Sequence, residues 1–308
     1  MTTSDFHDPR LTERRNPRTV DIDRASSVAI VDLINAEDRA VPEVVRSARE
    51  DIARVIDLVV EAFASGGRLV YVGAGTSGRL GVLDAAECPP TFGTPPELVV
   101  GLIAGGPAAL VRSQEGAEDD REAGGRAMDE RGVSARDVVV GIAASGTTPY
   151  VRAALERARK LRARTALVTC ADPPDDLARG VDVVIALRVG PEVLTGSTRM
   201  KAGTATKLVL NTISTGAMIR SGRAYGNLMV DLVALSDKLR DRGERIVMET
   251  SGVPRAAARR TIEAAGGSVK VAIVMARLGI DAADARRRLE RAGGLVRGVV
   301  GDPPPVAP

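Results

Sequence analysis

Short apolar runs alternate with longer amphipathic stretches through the middle of this 308-residue chain. The runs are nearly continuous in Val, Ile and Leu, which is typical of strands covered by helices on both faces. They predict strands at Arg68–Val72, Leu98–Ala104, Asp137–Ala143, Thr165–Thr169 and Val181–Leu187. Because helical patterns fill the intervals, the strands belong to βα units. The chain is therefore predicted to be an α/β protein with a parallel sheet and right-handed crossovers.

Helical patterns also lie before and after the predicted sheet. Upstream, Ser26–Glu37 and Pro42–Ala64 have apolar residues at helical spacing, and two glycines end the second helix. Downstream, the pattern predicts a long helix at Arg199–Ile219, an apolar stretch at Asn227–Leu235, a charged helix at Ser236–Thr250 and three short helices at Pro254–Ala265, Ser268–Leu278 and Ala282–Ala292.

These elements divide the chain into four predicted segments. Residues 1–24 form a polar arm, and residues 25–250 carry the sheet and its helices. Residues 251–300 form a small helical domain. Residues 301–308 include three consecutive prolines and are predicted to be a disordered tail.

Composition and charge argue against several classes of partner. The 43 Lys and Arg residues nearly balance 40 Asp and Glu residues, for a net charge of +3. With no Trp and only three Tyr and three Phe, the chain has few rings on which bases could stack, so we expect no nucleic-acid partner. No apolar run approaches the roughly 20 residues that span a bilayer, so we expect no membrane partner.

The start of the chain and its two cysteines indicate the cytoplasm. The first 23 residues are polar and lack the apolar segment of a secretory signal. Cys88 and Cys170 could form one disulfide, but two reduced, buried thiols are the favoured state. We therefore expect a cytoplasmic protein.

A glycine-rich turn follows the first predicted strand. Its sequence, Val72–Leu80, places Gly75, Thr76 and Ser77 immediately before a helical pattern. Such a turn exposes backbone N–H groups and a helix N-terminus, which together attract an anion.

Three interpretations of this turn compete. It fits the dinucleotide pattern G-x-G-x-x-G, but the second strand ends in Ala104-Gly105-Gly106, where that fold needs an acidic residue for the ribose. It misses the P-loop pattern, because Arg79 and Leu80 stand in place of Lys and Ser or Thr. A merely tight strand-to-helix turn stays open, and a cradle for one phosphate is the favoured interpretation.

Two further loops rich in hydroxyl groups follow later strands. One carries Ser145, Gly146 and Thr148, and the other carries Ser197 and Thr198 before Lys201. Either loop alone would be an ordinary helix cap more often than a ligand site. Since loops after parallel strands lie at the same sheet edge, where such folds bind ligands, three of them favour a phosphorylated small molecule.

Two groups of acidic residues could supply acid or base chemistry. A helix at Gly78–Glu87, stopped by two prolines, would place Leu80, Leu83, Asp84 and Glu87 on one face. We therefore expect Glu87 to be partly buried, which favours a protonated carboxyl that can donate; a solvated or ion-paired glutamate is the alternative. The second group, Glu115, Glu118, Asp119 and Asp120, is by itself typical of a wet surface.

Histidine and metal chemistry are not expected. The single histidine, His7, lies in the polar arm, which argues against a histidine-based triad or metal site. No Cys or His pair has the spacing of zinc ligands. Catalysis would have to use carboxylates, hydroxyls or lysine, without a metal or other cofactor.

Several long runs resemble the N-acetylmuramic acid 6-phosphate etherases, bacterial members of the sugar-isomerase (SIS) fold. The resemblance extends from about Leu11 to Gly298. The runs are Leu11–Pro17 (LTERRNP), Gly73–Pro90, Gly101–Gly106, Glu115–Asp119 and Thr195–Thr204. Other SIS proteins share the hydroxyl loops but not the sequences around the two glutamates.

The resemblance implies a fold and an activity. It implies a flavodoxin-like, doubly wound SIS domain, a C-terminal three-helix (UBA-like) domain, and a homodimer with its sites near the interface. The implied activity is a lyase in cell-wall amino-sugar recycling, which converts N-acetylmuramic acid 6-phosphate to N-acetylglucosamine 6-phosphate and D-lactate.

The resemblance also implies roles for individual residues. The two catalytic glutamates of the family fall on Glu87, as the acid at the ether oxygen, and Glu118, as the base at C2. The implied phosphate ligands are Gly75, Thr76, Ser77, Ser145, Gly146 and Thr148, with Ser197, Thr198 and Lys201 near the sugar. No cofactor is implied.

The chain departs from the family at two places. Thr147 stands where many relatives have arginine, and Ser113-Gln114 replace small apolar residues before the second glutamate. Neither departure involves the two glutamates. A non-catalytic sugar-phosphate-sensing regulator and an aldose–ketose isomerase are the alternatives, and only the etherase would release D-lactate.

Overall fold

The computed structural model describes residues 11–232 and 237–305. His7 and most of the predicted arm, residues 233–236, and residues 306–308 of the predicted tail lie outside the described residues. The chain divides into two compact units. The first is Met1–Ala86 with Glu97–Ser214, and the second is Glu87–Pro96 with Thr215–Pro308.

A five-stranded parallel sheet forms the centre of the first unit. Its strands are β1 (Leu69–Gly73), β2 (Val99–Ile103), β3 (Val138–Ile142), β4 (Arg164–Thr169) and β5 (Val183–Ala186). All five predicted strands are confirmed, with ends that differ by one or two residues. The order β2-β1-β3-β4-β5 is that of flavodoxin-like folds.

The carboxyl ends of the strands are aligned. Gly73, the last residue of β1, pairs with Ile103 of β2 and with Ile142 of β3. The alignment continues past the strands, since the Ala104 N–H donates to the Gly73 carbonyl at 2.9 Å. The loops that follow these strands therefore begin at one edge of the sheet.

A core that includes Val70, Val139, Leu155 and Leu167 lies on the sheet. The described residues of this part of the chain form eight helices. They are α1 (Ser27–Asp38), α2 (Val41–Ser47), α3 (Arg49–Ala64), α4 (Gly75–Phe92), α5 (Arg121–Glu130), α6 (Pro149–Lys160), α7 (Asp175–Ala178) and α8 (Lys201–Arg220). A 3₁₀ turn at Pro107–Leu110 follows β2.

The single helix predicted at Pro42–Ala64 is wrong, because α2 and α3 meet at Ala48. The Ala48 backbone leaves the helical range, with φ −91° and ψ 11°. Its N–H bonds to the Val45 carbonyl at 3.1 Å, three residues back, so the regular ladder is interrupted there.

Helix α4 is longer at both ends than its predicted range. It begins at Gly75 rather than Gly78, and it continues through Pro89 and Pro90 to Phe92. The two prolines remove only the donors to the carbonyls four residues earlier, and the Gly93 N–H again bonds to the Pro89 carbonyl at 2.9 Å. Gly93, with φ +60°, ends the helix in the left-handed conformation that glycine adopts readily.

The second unit is mainly helical. A two-stranded antiparallel pair, β6 (Ala224–Tyr225) and β7 (Leu228–Met229), was not predicted. The helices that follow are α9 (Asp237–Ser251), α10 (Arg255–Ala264), α11 (Val269–Leu278), α12 (Ala282–Arg291) and α13 (Arg297–Val300). The three short helices predicted downstream of residue 250 correspond to α10, α11 and α12.

The boundary of this unit differs from the predicted boundary near residue 250. Val247 of α9 is buried in the same apolar cluster as Ala258 of α10 and Ile273 of α11. Because α9 shares this core, it belongs to the second unit, whose longer segment is Thr215–Pro308. Within the described residues, no helix combines the length and the apolar character that crossing a membrane requires.

Candidate active site

The turn between β1 and α4 has the geometry of an anion site. Gly75 opens the helix with φ +51°, and Thr76 and Ser77 lie half-buried in the first helical turn. A Cβ atom on Gly78 would lie 2.7 Å from the Gly73 carbonyl oxygen, so only glycine allows the helix to start this close to the strand. The first backbone N–H groups of the helix have no intrahelical acceptor, and the two hydroxyls lie beside them.

The loop between β3 and α6 presents a second set of hydroxyls. The Ser145 Oγ accepts the Thr147 N–H at 3.3 Å and lies 3.0 Å from the Thr147 hydroxyl. Gly146 has φ +72°. Thr148 is the N-cap residue of α6, yet its side chain makes no capping hydrogen bond. The Thr148 hydroxyl is therefore not committed to the helix.

These two loops are neighbours because of the strand order. β1 and β3 are adjacent although β2 lies between them in the sequence, which makes this pair the point where the chain reverses direction across the sheet. Open α/β sheets bind their ligands at this switch point. The structure thus brings the Gly75 turn and the Ser145 loop together at the sheet edge.

Glu118 lies at the same place. Its carbonyl accepts the N–H of Tyr150, in the first turn of α6, at 2.9 Å. Its exposed side chain lines a cavity of about 190 Å³ together with Gly75 and Arg79. The backbone of Glu118 is therefore fixed to α6, the helix that follows the Ser145 loop, and its side chain lies beside the Gly75 turn.

The loop that leads to Glu118 is held against α4. Arg79 donates from Nε to the Leu110 carbonyl at 3.0 Å and from its terminal nitrogen to the Ala109 carbonyl at 2.7 Å. Further along, a Cβ atom on Gly105 would lie 2.9 Å from the Gln114 Cβ atom. Gln114, one of the two residues at which the chain departs from the family pattern before Glu118, thus packs against Gly105 of the same loop.

The third hydroxyl loop approaches the first. Ser197 and Thr198 are half-buried just before α8. A Cβ atom on Gly203, in the first turn of α8, would lie 3.5 Å from the Thr198 carbonyl and 3.7 Å from the Thr76 methyl group. Both threonines therefore lie close to Gly203, at the start of α8.

Lys201 is not placed as predicted. Its side chain is only 2% exposed, and its ammonium lies 2.6 Å from a carboxylate oxygen of Glu37. Glu37 also accepts hydrogen bonds from Arg18. The Arg18 hydrogen bond, followed by that of Lys201, lowers the pKa of Glu37 to about 2 against the opposing effect of burial. Because this buried network engages its ammonium, we assign Lys201 a structural role.

The predicted burial of Glu87 is wrong. Glu87 is exposed, and Leu83, on the same predicted face, is 51% exposed. The buried stripe of α4 instead consists of residues with spacings of three and four: Gly78, Gly81, Ala85, Cys88 and Phe92. The prediction took the buried face of α4 from its leucines. The helix lies so close to the sheet, however, that its buried face consists mainly of small residues.

The buried carboxylate of α4 is that of Asp84. It accepts hydrogen bonds from the Tyr71 hydroxyl at 3.0 Å, the Ser214 hydroxyl at 3.1 Å and the Asn211 amide at 2.6 Å. These partners belong to β1 and α8, so Asp84 ties α4 to both. Sequence periodicity placed Asp84 and Glu87 together and gave no sign that their environments differ.

Among residues 11–232 and 237–305, no three His, Cys, Asp or Glu side chains are grouped so that they could hold a metal ion.

Comparison with curated proteins gives extensive matches. Curated N-acetylmuramic acid 6-phosphate etherases of Yersinia pestis (strain Pestoides F) and Yersinia pseudotuberculosis serotype O:1b (strain IP 31758) are each 53% identical to this chain over 263 residues. The match covers 85% of this chain and 89% of each relative.

Two other comparisons concern the sheet-containing part. The family model of the glucokinase regulatory protein N-terminal SIS domain matches residues 51–159. A phosphoheptose isomerase from Francisella tularensis superposes with a TM-score of 0.51 at 16% identity, over 63% of this chain and 100% of that chain. At this identity the structural likeness shows the fold alone.

Proposed function

The chain belongs to the N-acetylmuramic acid 6-phosphate etherase family, and from this premise we propose that Glu118 is the base and Glu87 the acid of its reaction. The activity is that of a carbon–oxygen lyase. It cleaves the D-lactyl ether of N-acetylmuramic acid 6-phosphate and yields N-acetylglucosamine 6-phosphate and D-lactate. The observation that carries this activity is the 53% identity over 85% of the chain.

The phosphate of the substrate binds at the switch point between β1 and β3. Its ligands are the backbone and hydroxyl groups of Gly75, Thr76, Ser77, Ser145, Gly146 and Thr148. The N-terminus of α4 at Gly75 and the Thr148 hydroxyl, which makes no capping hydrogen bond, support this assignment. Ser197 and Thr198 contact the sugar, which the proximity of Thr198 to Thr76 through Gly203 supports.

Elimination starts at C2 of the ring-opened sugar. The C2 proton is acidic because it is α to the C1 aldehyde, and the Glu118 carboxylate removes it. The bond between C3 and the lactyl oxygen then breaks, and Glu87 protonates the departing oxygen. Water adds to C3 of the resulting double bond while a proton returns to C2. No step transfers electrons to or from an external acceptor or donor, so the reaction requires no redox cofactor.

The support for the two glutamates differs. Glu118 shares a cavity with Gly75 and is fixed to α6 through its carbonyl, and both observations support its assignment as a base beside the proposed phosphate site. Glu87 is exposed, and its role rests on its correspondence with the family's second catalytic glutamate.

We further propose that the enzyme is a homodimer. Helix α1 exposes Val28 and Val31 by 72% and 64%, and its only fully buried residue is Glu37. A twelve-residue helix with no buried apolar side chain leaves apolar area that a second copy of the chain would cover.

The proposed compartment is the cytoplasm. Cys88 and Cys170 are both buried thiols rather than a disulfide, which fits a reducing environment.

One alternative follows from a specific observation. The glucokinase regulatory match at residues 51–159 includes both Glu87 and Glu118, and a regulator of that kind would bind a sugar phosphate without converting it. An isomerase would convert a sugar phosphate without releasing lactate.

The test is incubation of the full-length protein with N-acetylmuramic acid 6-phosphate, with D-lactate and N-acetylglucosamine 6-phosphate assayed together. We expect equal amounts of both products. Glu118→Gln should still bind the sugar phosphate and release no lactate, whereas Glu122→Gln, an exposed neighbour on α5, should behave as wild type. Binding without lactate from the wild-type protein would favour the regulator, and normal turnover by Glu118→Gln would remove its assignment as the base.

A further inference from the structure

The segment Leu11–Thr19 buries polar side chains. We call it the N-terminal clamp; it contains the LTERRNP run, to which the reaction assigns no role. It folds as two 3₁₀ turns, Leu11–Glu13 and Pro17–Thr19, and its residues Thr12, Asn16 and Thr19 are all buried. Buried polar residues outside regular structure are held by specific hydrogen bonds, so the partners of these three indicate what the clamp does.

The partners lie in the β5–α8 loop, residues 187–200. These 14 residues contain no helix or strand, although they connect two buried elements. Some of their backbone groups bond within the loop, as the Ser197 N–H does to the Leu194 carbonyl at 3.0 Å, and the others need partners from outside it. Irregular loops of this length inside a compact domain are usually functional, and this loop carries Ser197 and Thr198.

Three hydrogen bonds join the clamp to the loop. The Gly196 N–H donates to the Thr12 carbonyl at 3.3 Å, the Asn16 amide donates to the Pro191 carbonyl at 3.3 Å, and the Thr19 hydroxyl donates to the Val193 carbonyl at 2.9 Å. A Cβ atom on Gly196 would also lie 3.1 Å from a carboxylate oxygen of Glu13. The clamp thus provides hydrogen-bond acceptors and donors to the loop backbone at residues 191, 193 and 196, just before Ser197 and Thr198.

The end of the loop is anchored separately. Glu192, fully buried, accepts the backbone N–H groups of Lys201 and Ala202 at 3.0 and 2.9 Å and so caps α8. The Lys201 ammonium donates to Glu37, which also accepts a hydrogen bond from Arg18 of the clamp. The start of α8 is therefore held by Glu192 and by this ion-pair network, whereas the clamp's direct hydrogen bonds to the loop act on residues 191–196.

We propose that the N-terminal clamp is a positioning segment for substrate binding. By holding the backbone at Pro191, Val193 and Gly196, it sets where Ser197 and Thr198 meet the sugar phosphate. The clamp residues act through the loop and do not themselves contact the substrate. This inference rests on the proposed function, because it assumes that Ser197 and Thr198 bind the sugar.

The direct test is Thr19→Val in the full-length enzyme, since valine keeps the shape and removes the hydroxyl that bonds Val193. We expect KM for N-acetylmuramic acid 6-phosphate to rise about five- to tenfold, in line with the loss of one buried hydrogen bond, while kcat stays within about twofold. Thr19→Ser keeps a hydroxyl and should restore KM.

A matched control separates positioning from general stability. Thr250 is also a buried threonine whose hydroxyl bonds a backbone carbonyl, at 2.7 Å from the Ile246 oxygen in α9. Thr250→Val should lower the melting temperature about as much as Thr19→Val and leave KM unchanged. An equal KM for Thr19→Val and wild type, or an equal rise in KM for Thr250→Val, would overturn the inference.

A second measurement does not depend on turnover. Saturating N-acetylglucosamine 6-phosphate should raise the melting temperature of the wild type and of Thr250→Val more than that of Thr19→Val. If Thr19→Val fails to fold, Asn16→Ala, which removes the bond to Pro191, is measured in the same way. A wild-type protein that releases no D-lactate would refute the proposed function, whereas lactate release with an unchanged KM in the variant would refute the clamp alone.

Discussion

Asp84 and Glu87 are separated by one helical turn of α4 and have similar side chains, yet the structure gives them opposite environments. Asp84 is buried with three hydrogen-bond donors from Tyr71, Asn211 and Ser214, whereas Glu87 is exposed. A buried carboxylate with its donors satisfied maintains the fold, and an exposed one is available to a substrate. Substitution of Asp84 should therefore lower stability, whereas substitution of Glu87 should lower activity and leave stability nearly unchanged.

We expect Asp84→Ala to lower the free energy of unfolding by about 2–4 kcal/mol, because three buried polar groups lose their acceptor. Glu87→Gln should change it by less than about 0.5 kcal/mol and reduce D-lactate release by about 10²–10⁴-fold. Urea denaturation and the lactate assay measure the two effects. A Glu87→Gln protein that is strongly destabilised, or that turns over normally, would contradict the assignment.

A second prediction at this scale concerns pH. The pKa of Glu37 is about 2 in the folded chain, held down first by Arg18, and 4.5 in the unfolded chain. The ionised carboxylate therefore stabilises the fold above pH 4.5, and this contribution is lost as the pH falls from 4.5 toward 2. Glu37→Gln should thus destabilise the protein by about 3 kcal/mol at pH 6 and by progressively less below pH 4.5. Urea unfolding of both proteins across this range measures the difference, and a difference independent of pH would refute the linkage.

At the scale of elements, the strands were predictable and the packing face of α4 was not. Each strand is a short, nearly continuous apolar run between helical patterns, so its position could be predicted from the sequence. The buried stripe of α4 is formed largely by Gly78, Gly81 and Ala85, which carry almost no hydrophobic signal. A Cβ atom on Gly81 would lie 2.9 Å from that of Tyr71, so closeness to the sheet, rather than hydrophobicity, selects these residues.

The break at Ala48 escaped prediction for a similar reason. Alanine is the strongest helix former, and no glycine or proline marks the position, so local propensity gave no signal. In the same way, the prolines at positions 89 and 90 gave a misleading stop signal. Tertiary packing, which single-sequence patterns do not contain, decided both cases.

Two adjacent glycines of α5 offer a matched test of close packing. A Cβ atom on Gly124 would lie 2.1 Å from the Tyr150 carbonyl oxygen, whereas one on Gly125 would meet nothing within 4 Å. Gly124→Ala should force α5 and α6 apart, cost about 1–3 kcal/mol and lower turnover, because the Tyr150 N–H holds Glu118. Gly125→Ala should be neutral or stabilise the protein by up to about 1 kcal/mol. Thermal unfolding and lactate release measure both, and equal effects for the two variants would contradict this packing.

At the scale of the whole molecule, the site depends on topology. The sequence predicted three hydroxyl loops at one sheet edge, but only the observed order makes β1 and β3 neighbours and so joins the Gly75 turn to the Ser145 loop. Strand order arises from long-range pairing that no local pattern encodes. The role of Glu118 was likewise available only through family correspondence, because its acidic group alone was typical of a wet surface, and the burial from which a role for Glu87 was predicted is wrong.

The proposed homodimer gives a prediction at this scale. Replacing Val28 and Val31 by glutamate puts charge on the exposed apolar face of α1 and should convert the dimer to a monomer. Leu278→Glu, at an exposed position of α11, should leave the dimer intact. Sedimentation velocity distinguishes the two states. A wild-type protein that sediments as a monomer at micromolar concentration would exclude the dimer, and an unchanged dimer in the double variant would place the interface elsewhere.

Transfer of solvent deuterium to C2 of the product tests the central claim most directly. Turnover in D₂O, followed by NMR of N-acetylglucosamine 6-phosphate, counts the protons exchanged at the carbon from which Glu118 is proposed to remove one. The wild-type product should carry one deuterium at C2 for each D-lactate released, and Glu118→Gln should produce neither the label nor lactate. D-lactate released with C2 still protonated, or labelling by Glu118→Gln at the wild-type rate, would contradict the account.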